Sequence, residues 1–281
     1  MLTVLASLIN GLPSDQVSIL DRGLTYGDGL FETVRIVCSQ PALWALHWQR
    51  LETGLTRLNF SFNAEALQQA LLSDIERLLL VAELTEATLK ITITRGIGQR
   101  GYRYTADAPL TRIVTVFPAT DAEALARTGI KARLCSLRLA RSEALAGLKH
   151  LNRMEQVIAR NEWSDPQYYE GILNDTANNM ICGTMSNLFL VKEGVLLTAD
   201  VSGCGIAGTR RRWVLENAND LGLVAKVGIL SAEDLLSADE VFFCNALIGI
   251  LPAMEVADRT LPSRDISLRL REALLEAEYQ K

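Results

Sequence analysis

Lys149 lies in Gly147-Leu148-Lys149-His150-Leu151-Asn152-Arg153, between apolar residues and just before an amphipathic helical pattern. Burial there lowers an amine's pKa and makes it an imine-forming nucleophile; taken alone, a solvated surface lysine is the ordinary reading. Gly205-Ile206-Ala207-Gly208-Thr209-Arg210 precedes a helical pattern with Trp213, Leu215 and Leu221 as its apolar members. Unbonded N–H groups and the helix dipole at such a start hold a phosphate dianion, with the Thr209 hydroxyl as a further donor. An ordinary glycine-containing helix start has the same pattern. Arg50 follows His47 by one helical turn, and Arg35 follows the strand pattern at Glu32–Val34. Arginine on a rigid element suits bidentate recognition of phosphate or carboxylate, and a surface ion pair is the default for both. Gly96-Ile97-Gly98-Gln99-Arg100-Gly101 satisfies the GxGxxG pattern after a predicted strand, but YRYTADAP follows with Pro109 and no helical period. Without a helix N-terminus to receive a pyrophosphate, the motif argues against a dinucleotide site, and a functional loop of another kind stays open.

These residues need a scaffold, and the 281-residue chain is long enough for two cores. The hydropathy pattern predicts an opening strand, an ordered non-helical loop over 21–32, and a strand at Thr33–Val37. Helices follow over Ala45–Leu58 and Ala64–Leu84, with Leu51, Leu55 and Leu58, then Leu67, Leu71, Ile75 and Leu78, at helical spacing. Alternating Leu89, Ile91 and Ile93 and the β-branched run near Ile113–Val116 predict paired strands. The proline and polar residues of FPATDAEALA mark a boundary, giving a smaller α/β domain over 1–118, a linker over 119–127 and a larger α/β domain over 128–281. In the latter, strands are expected near Ile130–Leu139, Tyr169–Leu173, Leu188–Lys192, Val195–Leu197 and Glu240–Phe243. Helices are expected near Asn152–Trp163, after Gly208, from Ser231 (with Asp234 as a capping partner) and over Ser267–Glu278.

Composition narrows the class further. Hydrophobic residues make up 49% and charged residues 22%, as in a soluble globular protein. A net charge of −5 does not suit a nucleic-acid surface. Five scattered cysteines without a CxxC pair indicate neither a disulfide framework nor a zinc site, and a cytoplasmic location is expected. Two histidines supply neither histidine-rich metal chemistry nor a well-stocked Ser-His-Asp site. No apolar run approaches the roughly 20 residues of a membrane helix.

DRGLTYGDGLFET, HWQRL, TRGIGQRGY, GLKHLNR, GTMSNLF, GIAGTRRR and FFCNALIGILP occur together in this order. In order and spacing they resemble the branched-chain-aminotransferase-like group of pyridoxal-phosphate enzymes, and GLKHLNR and CNALIGILP resemble its aminodeoxychorismate lyase branch. The resemblance implies an α/β (α+β), two-domain, fold-type IV enzyme with pyridoxal 5'-phosphate in the interdomain cleft. It implies a Schiff base on Lys149, the phosphate on Arg50 and the loop Ile206, Ala207 and Thr209, and Asn187, Asn245 and Ala246 near the cofactor or substrate. It further implies a homodimer acting on 4-amino-4-deoxychorismate, with 4-aminobenzoate and pyruvate as products for folate synthesis. Lys149 is the expected proton-transfer group, helped by the Thr209 or Thr33 hydroxyl; Arg95, Arg103 and Arg35 are candidates for the substrate carboxylates. One position departs from the family pattern: Cys182 stands where a glutamate pairs with the pyridine nitrogen. A neutral thiol does not supply that charge, and Glu170 on an adjacent predicted strand is the nearest substitute. A branched-chain or D-amino acid aminotransferase and a low-turnover cofactor-binding homologue therefore remain alternatives.

Overall fold

The computed structural model describes residues 4–279, which divide into two compact units. The first comprises residues 4–120 together with Lys149–Asn152. Its chain runs β1 (Ala6–Ile9), β2 (Leu12–Pro13), α1 (Arg22–Tyr26), β3 (Gly29–Val37), β4 (Gln40–Pro41), α2 (Trp44–Arg57), α3 (Ala64–Val81), β5 (Ala87–Thr94) and β6 (Thr111–Phe117). The strands form one antiparallel sheet in the order β2-β1-β6-β5-β3-β4. Leu51 and Leu55 of α2 and Leu67, Leu71, Ile75 and Leu78 of α3 are buried, as the spacing predicts.

Two expectations for this half are corrected. Residues 21–32 contain the short helix α1, because the Asp21 side chain caps Gly23 N and Gly27 ends the turn at φ 64°, a conformation glycine adopts without strain. The lysine segment, expected within the second domain, belongs to the first unit: Phe31 N donates to Lys149 O at 2.9 Å and Leu151 N to Gly29 O at 3.0 Å. Gly29 permits this approach, since a Cβ there would lie 2.7 Å from Leu151 Cδ1 and 2.5 Å from Ile93 O.

The second unit comprises Asp121–Leu148 and residues 153–279. It contains α4 (Glu123–Thr128), β7 (Ile130–Leu139), α5 (Met154–Arg160), β8 (Tyr168–Asp175), β9 (Met180–Gly183), β10 (Asn187–Lys192), β11 (Val195–Ala199) and α6 (Thr209–Asn217). These are followed by β12 (Val224–Gly228), α7 (Ala232–Leu236), β13 (Glu240–Asn245), β14 (Gly249–Val256), β15 (Arg259–Thr260) and α8 (Asp265–Tyr279). Residues 119–127, expected to be linker, thus run into α4, whose Ala126 is buried. The polar surface of one helical turn reads as a linker when its single buried face is this short.

The sheet runs β12-β11-β10-β13-β14-β7-β8-β9, and β9 also pairs back to β10 through Cys182 and Asn187. That extra pairing closes six strands into a ring. Its core combines Ile172, Leu188, Leu190, Phe243 and Leu251. Such strands, buried on both faces, lack clean alternation, which is why β9 and β14 escaped the sequence pattern. Ser231 and Asp234 form the expected capping box at α7. Among the described residues no helix is long and apolar enough to cross a membrane.

Candidate active site

In the first unit β3 alternates: Glu32, Val34 and Ile36 are buried, while Phe31, Thr33 and Arg35 are half-buried. Lys149 lies against Phe31, its Nζ 4.2 Å from the ring centre, a favourable place for a cation. The next residue, Glu32, is 1% exposed and holds Arg50. Arg50 Nε donates to one carboxylate oxygen at 2.7 Å and Nη2 to the other at 2.5 Å, while His47 Nδ1 contacts the latter at 2.6 Å. His47 and Arg50, three apart on α2, share the helix face that meets β3. Burial alone would raise the Glu32 pKa, but the Arg50 charge and the hydrogen bonds from His47 and Arg50 outweigh it and hold it at about 2. Lys149 and Arg50 thus address consecutive residues of one strand.

The three arginines expected at the substrate carboxylates are not brought together. Arg95 braces a loop: Nε donates to Asp28, Nη1 to Asn59 O and Nη2 to Leu58 O, and the guanidinium lies 3.9 Å from both the Phe60 and Tyr104 ring centres. Arg103 is exposed. Arg35 pairs across the sheet with Thr88, six residues along β3 from the Gly29–Thr94 pair beside Arg95; at about 3.3 Å per residue they stand roughly 20 Å apart. The Gly96–Gly101 loop leads into β6 and not into a helix.

The glycine loop before α6 organises the second unit's polar residues. Gly147 N donates to Gly205 O at 2.9 Å, Ala207 N donates to Gly147 O at 3.0 Å, and Asn187 Nδ2 donates to Ile206 O at 2.9 Å. The Ala207 N–H, expected on the phosphate, is therefore engaged by Gly147 O. A Cβ on Gly208 would lie 1.9 Å from Asn187 Oδ1, so a side chain there would displace the Asn187 amide from the loop. Gly208 is the N-cap of α6 with no side-chain cap, and the first intrahelical bond of this turn is Arg212 N to Gly208 O. The amides of Thr209, Arg210 and Arg211 precede that bond and form the anion-attracting end of the helix. Thr209 is buried. Arg211, 8% exposed, donates from Nη2 to Ala199 O at 2.8 Å, while its buried Nε has no protein partner. Burial lowers its pKa. A buried cation with an unmet donor beside an uncapped helix start favours an anion.

Cys182 is buried, and burial, then the Glu170 charge, pushes its thiol well above the ordinary range, so it is neutral. Glu170 does not substitute for a missing carboxylate, because it is 0% exposed and its oxygens are taken. Oε1 accepts from Gly171 N, Thr184 N and Thr184 Oγ1 at 2.9, 2.9 and 2.5 Å; Oε2 accepts from Met185 N and Ser186 Oγ at 3.4 and 2.7 Å. Asn245 is similarly committed: Nδ2 donates to Met185 O, and Oδ1 accepts from Leu247 N and Ile248 N. Ala246 lies in the turn that Asn245 shapes. Glu170 and Asn245 therefore fix the 183–186 turn between Cys182 and Asn187.

Glu32, Gly147 and Arg211 were not singled out by sequence. A charged residue at a buried phase of β3, and three successive arginines opposing the dipole at a helix start, were the available signals for Glu32 and Arg211. The role of Gly147 depends on a long-range pairing with Ile206 that leaves no local signal.

Residues 29–256 match the family model described as amino-transferase class IV. The chain is 35% identical to an aminodeoxychorismate lyase of Vibrio harveyi over 89% of its length and 90% of that protein. It is similar to the crystal structure of 4-amino-4-deoxychorismate lyase from Pseudomonas aeruginosa, with 38% identity, a TM-score of 0.90, and 98% and 100% of the two chains covered. A D-alanine aminotransferase of Bacillus licheniformis is 27% identical over 88% of this chain and 85% of its own.

Proposed function

Because the chain belongs to the class IV aminotransferase family of pyridoxal-phosphate enzymes, we propose that it is an aminodeoxychorismate lyase, converting 4-amino-4-deoxychorismate to 4-aminobenzoate and pyruvate. The observation that supports the lyase reading is that the relatives at 38% and 35% identity, along nearly the whole chain, are lyases, whereas those at 28% and 27% include aminotransferases as well as a lyase.

The residues present fit the cofactor. The uncapped start of α6, the unmet Nε of Arg211 and the bare backbone at Gly208 suit a phosphate dianion. Lys149 supplies the amine for covalent attachment. Gly147 is bonded to the loop, and two trans peptides carry the Cα of Lys149 at most about 7 Å from that of Gly147. When bound, pyridoxal phosphate supplies an imine to the substrate amine and a conjugated ring that draws electrons from the adjacent C–H bond.

In this reading the Lys149 amine would take the proton from the amino-bearing carbon of the substrate. The C–O bond to the enolpyruvyl group breaks, Lys149 returns a proton to that group as it becomes pyruvate, and the ring left behind is aromatic. Atoms balance without water. The Thr209 or Thr33 hydroxyl assists the proton's return, and Arg50 and the start of α6 hold the phosphate. Neutral Cys182 gives the pyridine nitrogen no charged partner, a weakness that an elimination driven by aromatisation tolerates better than a transamination does. The protein works in this reading as a cytoplasmic homodimer; exposed Ile19, Leu20, Leu24 and Ile97 of the first unit support a second copy there.

The test incubates cofactor-loaded protein with enzymatically generated aminodeoxychorismate and follows both products, with Lys149→Ala in parallel. Release of 4-aminobenzoate and pyruvate, lost in the variant, is expected. Keto-acid formation from D-alanine or a branched-chain amino acid without 4-aminobenzoate release would replace the lyase reading with the aminotransferase one.

A further inference from the structure

Glu32 is a buried carboxylate to which the reaction above gives no task. It takes Arg50 side-on, through Nε and Nη2, and takes His47 on the same oxygen as Nη2. Side-on pairing fixes the guanidinium plane. With its pKa at about 2 the carboxylate is ionised throughout the working pH range. His47, 0% exposed, fixes the carboxylate in turn. The arrangement has a cost that identifies its purpose. By charge alone, an anion beside an arginine weakens that arginine's attraction for a phosphate, so Glu32 helps phosphate binding only by holding Arg50 in one orientation.

We propose that Glu32, backed by His47, is the positioning residue that holds Arg50 for the cofactor phosphate. The proposal rests on the reading of Arg50 as a phosphate ligand. It makes a prediction opposite in sign to simple electrostatics: removing the negative charge loosens phosphate binding.

The experiment measures, for full-length protein stripped of cofactor, the ratio of affinities for pyridoxal 5'-phosphate and for pyridoxal, which lacks the phosphate. Thermal melts establish that each variant is folded. Arg50→Ala should lose most of the phosphate preference. Glu32→Gln should lose about tenfold of it, equivalent to about 1.4 kcal/mol, with pyridoxal affinity unchanged. Glu32→Asp keeps the charge but shortens the reach, and guards against a Gln variant that does not fold; it should lose preference as well. A purely structural role would weaken both ligands together and leave the ratio constant. An unchanged or increased ratio in the Glu32 variants, with Arg50→Ala impaired, overturns the positioning role and leaves the Arg50 reading intact. An unchanged ratio in Arg50→Ala overturns both.

Discussion

Two carboxylates, Glu32 in the first unit and Glu170 in the second, are almost wholly buried yet satisfied in opposite ways. Glu32 is met by side chains, a guanidinium and an imidazole. Glu170 is met by three backbone amides and two hydroxyls, with no cation among them. A carboxylate held by cations orients side chains, whereas one held by amides orients backbone, here the 183–186 turn beside Cys182. Both are already committed, Glu32 to the side chains of α2 and Glu170 to the backbone and hydroxyls of the turn.

The sharpest way to break this comparison is to remove each carboxylate. Glu170→Ala strips five donors of their acceptor, and since hydrogen bonds to a charged group are worth about 1.5–3 kcal/mol each before relaxation, a loss of about 4 kcal/mol in unfolding free energy is expected in chemical denaturation. A loss below about 1 kcal/mol would mean that the turn holds itself. Glu32 makes the next largest contribution, and it depends on pH. Its folded pKa, about 2, lies below the ordinary 4.5, so the stabilisation is fully present above pH 4.5 and is lost as pH falls toward 2. The shift corresponds to about 3 kcal/mol. Stability measured from pH 6 to pH 2 should fall less steeply in Glu32→Gln than in the parent, and parallel profiles would count against the ion pair.

Cys182 tests whether the site is adapted to a neutral partner or impaired by it. Cys182→Glu places a second carboxylate near Glu170, whose lone pairs are spent. A change of less than tenfold in 4-aminobenzoate release is expected, because aromatisation lightens the demand on the ring. A gain of a hundredfold would mark the parent as a low-turnover homologue.

Much of this was legible in the sequence, and what was not has a physical reason. The amphipathic periods of α2 and α3 and the β-branched run of β6 identified those elements, because each buries one face or one stripe. The glycine loop before α6 was legible because Gly and Thr at a helix start form a local signal. The closure of β9 on β10 was not, since it rests on a single pairing between Cys182 and Asn187. Nor was the engagement of Glu170, whose five donors come from residues 171 and 184–186 across a strand pair. Arg95 illustrates the reverse failure: an arginine after a strand looks like a ligand clamp, and only tertiary structure reveals Asp28, two carbonyls and two rings around it.

The smallest expected effect concerns Asn245, which holds the far side of the turn that Glu170 holds from below. Its amide donates to Met185 O at 3.0 Å, and its oxygen accepts from Leu247 N and Ile248 N at 2.9 and 3.0 Å. These are neutral bonds at a half-buried position where water can replace the lost partners, so Asn245→Ala should cost about 1 kcal/mol, well below Glu170→Ala. If both residues act by fixing one turn, their effects should not add, and the double variant should lose less than the sum of the singles by at least about 0.5 kcal/mol. Strict additivity in a denaturation cycle would separate the two, leaving Glu170 to hold the turn and Asn245 to shape only the 245–248 loop.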